Sequence, residues 1–162
     1  MNKLSIFFLT YNRIHNNIFN SLNVIASFSE ELKSKIDVYL INDNSNSKDY
    51  DNKIEEILRF EKYNFIKYKK NTKNLGIVGN YLNSVLECDT EYIQFICDDD
   101  YIHENIINLI EKILLNKNHN VSSYFWKYNE IRNNQIIASS KLISFDSDIK
   151  TLRLIKFLFN QS

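Results

Sequence analysis

Short, almost wholly apolar runs alternate along this chain with stretches whose apolar residues recur every three or four positions. The first run, Leu4 to Leu9, is nearly continuous, as a central strand covered on both faces requires. A helix is predicted from Ile14 to Phe28, with Ile18, Leu22 and Ile25 on one stripe. A second strand, Ile36 to Ile41, runs into Asn42-Asp43-Asn44-Ser45, residues with turn and capping chemistry. A helix from Tyr50 to Phe60, with Ile54, Ile57 and Leu58 inward, and a strand from Asn64 to Tyr68 follow. After the polar loop Lys69 to Asn74, a helix from Ile77 to Leu86 carries Tyr81, Leu82, Val85 and Leu86 on one face. The next apolar run, Glu91 to Cys97, ends in Asp98, Asp99 and Asp100. Beyond it the pattern predicts a helix from Tyr101 to Leu115, a strand from Val121 to Tyr128, a short run at Gln135 to Ala138, and a helix from Ile149 to Phe159.

Strands alternating with helices predict βαβ units and an α/β fold with a mainly parallel sheet. Ligands of such sheets bind beyond the carboxyl ends of the strands. The clusters Thr10-Tyr11-Asn12, Asn42-Asp43-Asn44 and Asp98-Asp99-Asp100 all follow strands, so all three are expected on that one edge.

Composition narrows what the edge can bind. A length of 162 residues is that of one ordinary domain. Twenty basic and twenty acidic residues cancel, which leaves no broad basic field for nucleic acid or an anionic membrane surface. The N-terminal apolar run stops at Thr10-Tyr11-Asn12-Arg13 with no small-residue cleavage site, and no run reaches the roughly 18 apolar residues of a membrane span. Cys88 and Cys97 show no CxxC spacing and read as buried thiols of a reducing cytoplasm. With only Gly76 and Gly79, the chain lacks a dinucleotide-binding fingerprint.

Three adjacent carboxylates repel one another and call for a cation. In an extended segment Asp98 and Asp100 would share a face, with Asp99 opposite. Hard oxygen ligands of this kind suit Mg²⁺ or Mn²⁺ bridging to a phosphate ester. The plainer alternative is that the aspartates cap a helix starting at Tyr101.

Four segments together resemble the family 2 glycosyltransferases, inverting enzymes with the GT-A fold, a Rossmann-like three-layer αβα sandwich. They are Ser5 to Arg13, Val38 to Ser45, Asn74 to Asn83, and Glu91 to Asp100. The resemblance implies a nucleotide-sugar donor, a glycan or lipid-linked acceptor, and a role in polysaccharide assembly. It implies that Thr10, Tyr11 and Asn12 form the loop that holds the base, and that Asp43 accepts a hydrogen bond from the uracil ring N–H, which favours UDP-sugars. Asp98 is similar to the ribose-contacting member of the DxD motif and Asp100 to its metal-coordinating member; Asp98 also counts toward the metal, and Asp99 toward the substrate. Asn74, Gly76 and Asn80 fall in the segment lining the nucleotide site. A divalent ion, Mn²⁺ or Mg²⁺, fits this reading, because the chain has neither a GxxxxGK[ST] loop nor an arginine cluster to neutralise a diphosphate.

Inversion also needs a general base, which in this family is a carboxylate well after the DxD motif. Glu130, Asp146 and Asp148 are the late carboxylates, each more simply a loop or cap residue, so the base is unassigned. Residues 1–100 are expected to form the nucleotide-sugar half of one glycosyltransferase-like domain, and 101–162 an incomplete start of the acceptor half. The apolar last helix permits a homodimer, and the family reading admits peripheral association with the inner face of a membrane.

His103 is expected to face solvent rather than a metal, Trp126 to be core rather than a sugar platform, and Arg13 to be a surface arginine rather than a phosphate ligand. The competing functions are a catalytically silent sugar-nucleotide binder, a nucleotidyltransferase and a receiver-like phosphoacceptor. A nucleotidyltransferase would show a basic glycine-rich loop after the first strand, and a receiver an acidic pair there, where this chain has Thr10 and Tyr11.

Overall fold

The computed structural model describes residues 3–115, 129–132 and 135–139. In chain order, the first unit holds β1 (Leu4–Thr10), α1 (Asn16–Ala26), the short α2 (Glu30–Lys33), β2 (Ile36–Asn42), α3 (Lys48–Arg59), β3 (Ile66–Lys70), α4 (Gly76–Leu86), β4 (Tyr92–Cys97) and α5 (Ile106–Leu115). β1 to β4 form one parallel sheet in the order β3-β2-β1-β4. All seven residues of β1 are buried, which is what its nearly continuous apolar run requires of a strand flanked on both sides and covered on both faces.

Alternation divides the side chains between two layers of helix. Phe7, Leu9 and Ile41 form a cluster on one face with Tyr39, Ile93 and Phe95, against which Tyr81 of α4 sets its ring edge-on at 4.6 Å. On the other face Thr10 meets Tyr50 of α3. The result is the parallel sheet that the alternation of elements predicts, in the αβα sandwich that the family resemblance implies.

Three expectations for the helices change. The single helix drawn from Ile14 to Phe28 ends at Ala26, and a separate turn of helix, α2, is started by Ser29, whose hydroxyl accepts from the Leu32 N–H. In α4 the apolar stripe faces outward: Ile77, Val78, Leu82, Val85 and Leu86 are exposed, whereas Asn80 and Ser84 are buried. Polar partners at its N-terminus, described below, turn that face inward. Finally, α5 begins at Ile106 rather than Tyr101, with Ile102 buried ahead of it and its N–H bonded to Ser21 Oγ at 2.8 Å.

The second unit contains an antiparallel hairpin of β5 (Asn129–Arg132) and β6 (Gln135–Ser139), with Glu130 opposite Ala138. Glu130 therefore lies in a strand, not in the loop or cap expected for it. The strand predicted over 121–128, Trp126, His119, Asp146, Asp148 and the helix over 149–159 lie outside the described residues.

Candidate nucleotide-sugar site

Register brings the three polar clusters to one edge. Thr10 stands beside Asn42 and Leu9 beside Cys97, so the chain leaves β1, β2 and β4 side by side. β3 ends beside them, with Lys70 opposite Asn42.

The first loop is pinned by its neighbours. The Thr10 hydroxyl donates to the Ile41 carbonyl at 2.8 Å and contacts the Tyr50 hydroxyl at 2.6 Å. Its single hydrogen is spent on the carbonyl, so Tyr50 is the donor of the second bond. Thr10 thus looks into the fold, while Tyr11 is exposed at the rim. Asn12 adopts a left-handed conformation, φ 56°, which asparagine tolerates better than most residues. Its N–H donates to Ser45 Oγ at 2.7 Å and its Oδ1 accepts from the Asn46 N–H at 3.4 Å, which ties the first loop to the second. In that second loop Asn42 Oδ1 accepts from the Ser45 N–H at 2.6 Å, the turn chemistry its sequence predicts.

Asp43 is 2% exposed and organises the third loop. Its Oδ1 accepts from Asn71 Nδ2 at 2.9 Å and the Leu75 N–H at 2.8 Å, and its Oδ2 from the Gly76 N–H at 2.9 Å. A carboxylate from the loop just after β2 thereby caps α4, whose own cap residue, Leu75, has no side chain able to do so. Gly76 sits at φ +66°, which places its N–H for both Asp43 and Asn74 Oδ1, the latter at 2.8 Å. Asn71 Nδ2 also reaches Asn80 Oδ1 at 2.6 Å, so buried Asn80 and Asn71 extend the network. Asn71 was not singled out from sequence: an asparagine in a polar loop carries no local sign that it will be buried.

The acidic triplet does not continue the strand. The chain turns after Cys97, closed by the Asp100 N–H to the Cys97 carbonyl at 3.1 Å, so strand alternation does not place these side chains. Asp98 is buried, and Asp99 and Asp100 are exposed. With α5 starting at Ile106, the triplet is also too far upstream to cap that helix. Arg13 is at the surface, as expected, and is also paired: its Nε donates to Asp98 Oδ2 at 2.7 Å and its Nη2 to Oδ1 at 3.3 Å. The guanidinium pKa rises, chiefly through the hydrogen bond to Asp98 and then through its charge. Asn17 Nδ2 donates to the Asp99 carbonyl at 2.6 Å. Desolvation raises the Asp100 pKa, with the charges of Asp99 and Asp98 adding to it against a lowering backbone hydrogen bond at Cys97. His103 is exposed, as expected, and both cysteines are free and half-buried.

Among the described residues no three metal-binding side chains converge on one point. The donor chemistry nevertheless fits an ion of the Mg²⁺ or Mn²⁺ type, which takes one or two carboxylates and completes its shell with water and phosphate. Asp100 has no Lys or Arg partner among the described residues and crowds against like charges, so a cation there relieves repulsion.

A four-stranded parallel sheet between layers of helix, with its post-strand loops side by side at one edge, is a fold similar to that of the GT-A glycosyltransferases. The chain belongs to glycosyl transferase family 2, whose model matches residues 5–160. It is similar to S. aureus TarS, with 26% identity and a TM-score of 0.52 over 69% of this chain and 19% of that one. It is likewise similar to TarS 1–349, with 28% identity and a TM-score of 0.51 over 68% and 32% of the two chains. For TarS 1–349 in complex with UDP-GlcNAc the figures are 26% and 0.50, over 69% and 31%. The chain thus spans no more than a third of the solved proteins it matches. No curated protein sequence matches it.

Proposed function

We propose that this chain carries the donor-binding part of a glycosyltransferase that takes a sugar from a nucleotide diphosphate, with UDP-sugars preferred, and passes it to a glycan or lipid-linked acceptor. The observation that carries the reading is the convergence of the first-strand loop, the Asp43 network and the acidic triplet on one sheet edge. That TarS 1–349 is solved in complex with UDP-GlcNAc supports a uridine nucleotide here.

In this proposal Tyr11, exposed at the rim, stacks on the base. Asp43 Oδ2 accepts one hydrogen bond from Gly76 and keeps a second acceptor position for the uracil ring N–H. Asn74, Gly76 and Asn80 shape the wall on that side, and Asp98 meets the ribose. Asp100, joined by Asp98 or Asp99, holds Mn²⁺ or Mg²⁺, which when bound offsets the charge of the leaving diphosphate. Residues 1–100 form the donor half and 101–162 begin the acceptor half, in which no general base is assigned. We place the protein in the cytoplasm; no helix among the described residues is long and apolar enough to cross a membrane.

The test is calorimetric titration of UDP with and without Mn²⁺, repeated with GDP and with Asp98→Ala and Asp100→Ala. Metal-dependent UDP binding that both substitutions remove is expected. Absence of binding by any nucleotide, with or without metal, would sink the reading. Turnover of a UDP-sugar then separates an active enzyme from a silent binder.

A further inference from the structure

Arg13 links two parts of the edge that lie far apart in sequence. The left-handed turn at Asn12, fixed by Ser45 and Asn46, delivers the next residue to Asp98. Both carboxylate oxygens are then taken by one planar fork, Nε on Oδ2 and Nη2 on Oδ1. The Asp98 side chain is only 12% exposed, whereas that of Arg13 is 60% exposed. Solvent screens an arginine so open, so the pair contributes little to stability. Its consequence is orientation: a carboxylate gripped at both oxygens cannot rotate. An ionised carboxylate has about four acceptor positions, and the fork uses two. One remains on each oxygen, a spacing that suits the two neighbouring hydroxyls of a ribose.

We propose that Arg13 is a positioning residue for donor recognition: by holding both oxygens of Asp98 it presents that carboxylate to the ribose hydroxyls of the nucleotide. The inference rests on the donor-site reading above. Lysine at this position keeps the charge but, as a point donor, not the fork.

The test compares binding of UDP with that of its 2′-deoxy and 3′-deoxy counterparts, by calorimetry, for the unaltered chain and for Arg13→Gln, Arg13→Lys, Asp98→Asn and the double variant Arg13→Gln/Asp98→Asn. The unaltered chain is expected to prefer UDP on the order of tenfold over at least one deoxy form, the worth of a hydrogen bond to a charged group. Asp98→Asn and Arg13→Gln each lose that preference, the double variant is no worse than either, and Arg13→Lys keeps a small part of it. If Asp98→Asn loses the preference while Arg13→Gln keeps it, weakening all three nucleotides equally or none, the inference is overturned and the donor site stands. If Asp98→Asn discriminates as well as the unaltered chain, or the unaltered chain does not discriminate, the ribose role of Asp98 fails and this inference with it. Should Arg13→Gln not fold by circular dichroism, Arg13→Lys decides: full retention of the preference overturns the proposal.

Discussion

Asp43 accepts from three N–H donors in a buried setting, and two of them are the amides of the cap residue and first residue of a helix. Truncation leaves the Leu75 N–H and one Asn71 amide hydrogen without an acceptor, while the Gly76 N–H keeps Asn74 Oδ1, so Asp43→Ala is expected to cost about 2–4 kcal/mol in urea unfolding, and Asp43→Asn, which retains one acceptor, less. Tyr50 gives a pH signature. Burial raises its phenol pKa above the ordinary value near 10. A phenol raised in the folded state contributes stability that is whole below the unfolded pKa and is lost as pH rises beyond it. Tyr50→Phe is therefore expected to be about 1 kcal/mol less stable at neutral pH, through the lost bond to Thr10, with the gap narrowing above about pH 10. Urea titrations at the two pH values check this. Position after strands and the family resemblance marked Asp43 and Thr10 as candidates for the site, but the three donors around one and the inward turn of the other come from chain segments distant in sequence.

At the scale of the element, α4 is the clearest case of periodicity misleading. Its apolar residues repeat as a core-facing stripe would, yet Leu86 is 84% exposed and Val78 67%. The helix is oriented by its polar anchor instead: Asp43 holds its first amides, Asn80 bonds Asn71, and the opposite face is left outside. Leu86→Lys is accordingly expected to change stability by no more than about 0.5 kcal/mol. Gly76→Ala should cost about 1–2 kcal/mol despite open space around a new Cβ, because φ is +66° there. Thermal melts of the two variants, compared directly, test both statements. The other helices obey their patterns: Ile18, Leu22 and Ile25 of α1 and Ile54 and Ile57 of α3 are all buried where the spacing puts them, although Leu58 is exposed.

At the scale of the molecule, β1 is the centre of the sheet, and Ile6→Ala there is expected to cost about 2–5 kcal/mol, read from denaturant midpoints. The edge strand β3 instead reads Ile66-Lys67-Tyr68-Lys69-Lys70; Lys67 pairs with Asp37 and Lys69 with Glu87, charges that also discourage pairing with another chain. The alternation of strand and helix, the continuous burial of β1 and the presence of polar loops after three strands were all legible in the chain, because they follow from local hydrophobic period and from turn chemistry. Strand order, the outward stripe of α4, the late start of α5, and the pairing of Arg13 with Asp98 were not. They depend on which distant segments meet, and a carboxylate in a sequence looks the same whether an arginine or solvent will face it. The sequence by itself determined an α/β chain with its polar chemistry at the ends of its strands; tertiary structure decided which of those groups are spent on holding loops together and which are left open to a ligand, because hydrogen-bond partners are assigned by register and packing rather than by neighbours along the chain.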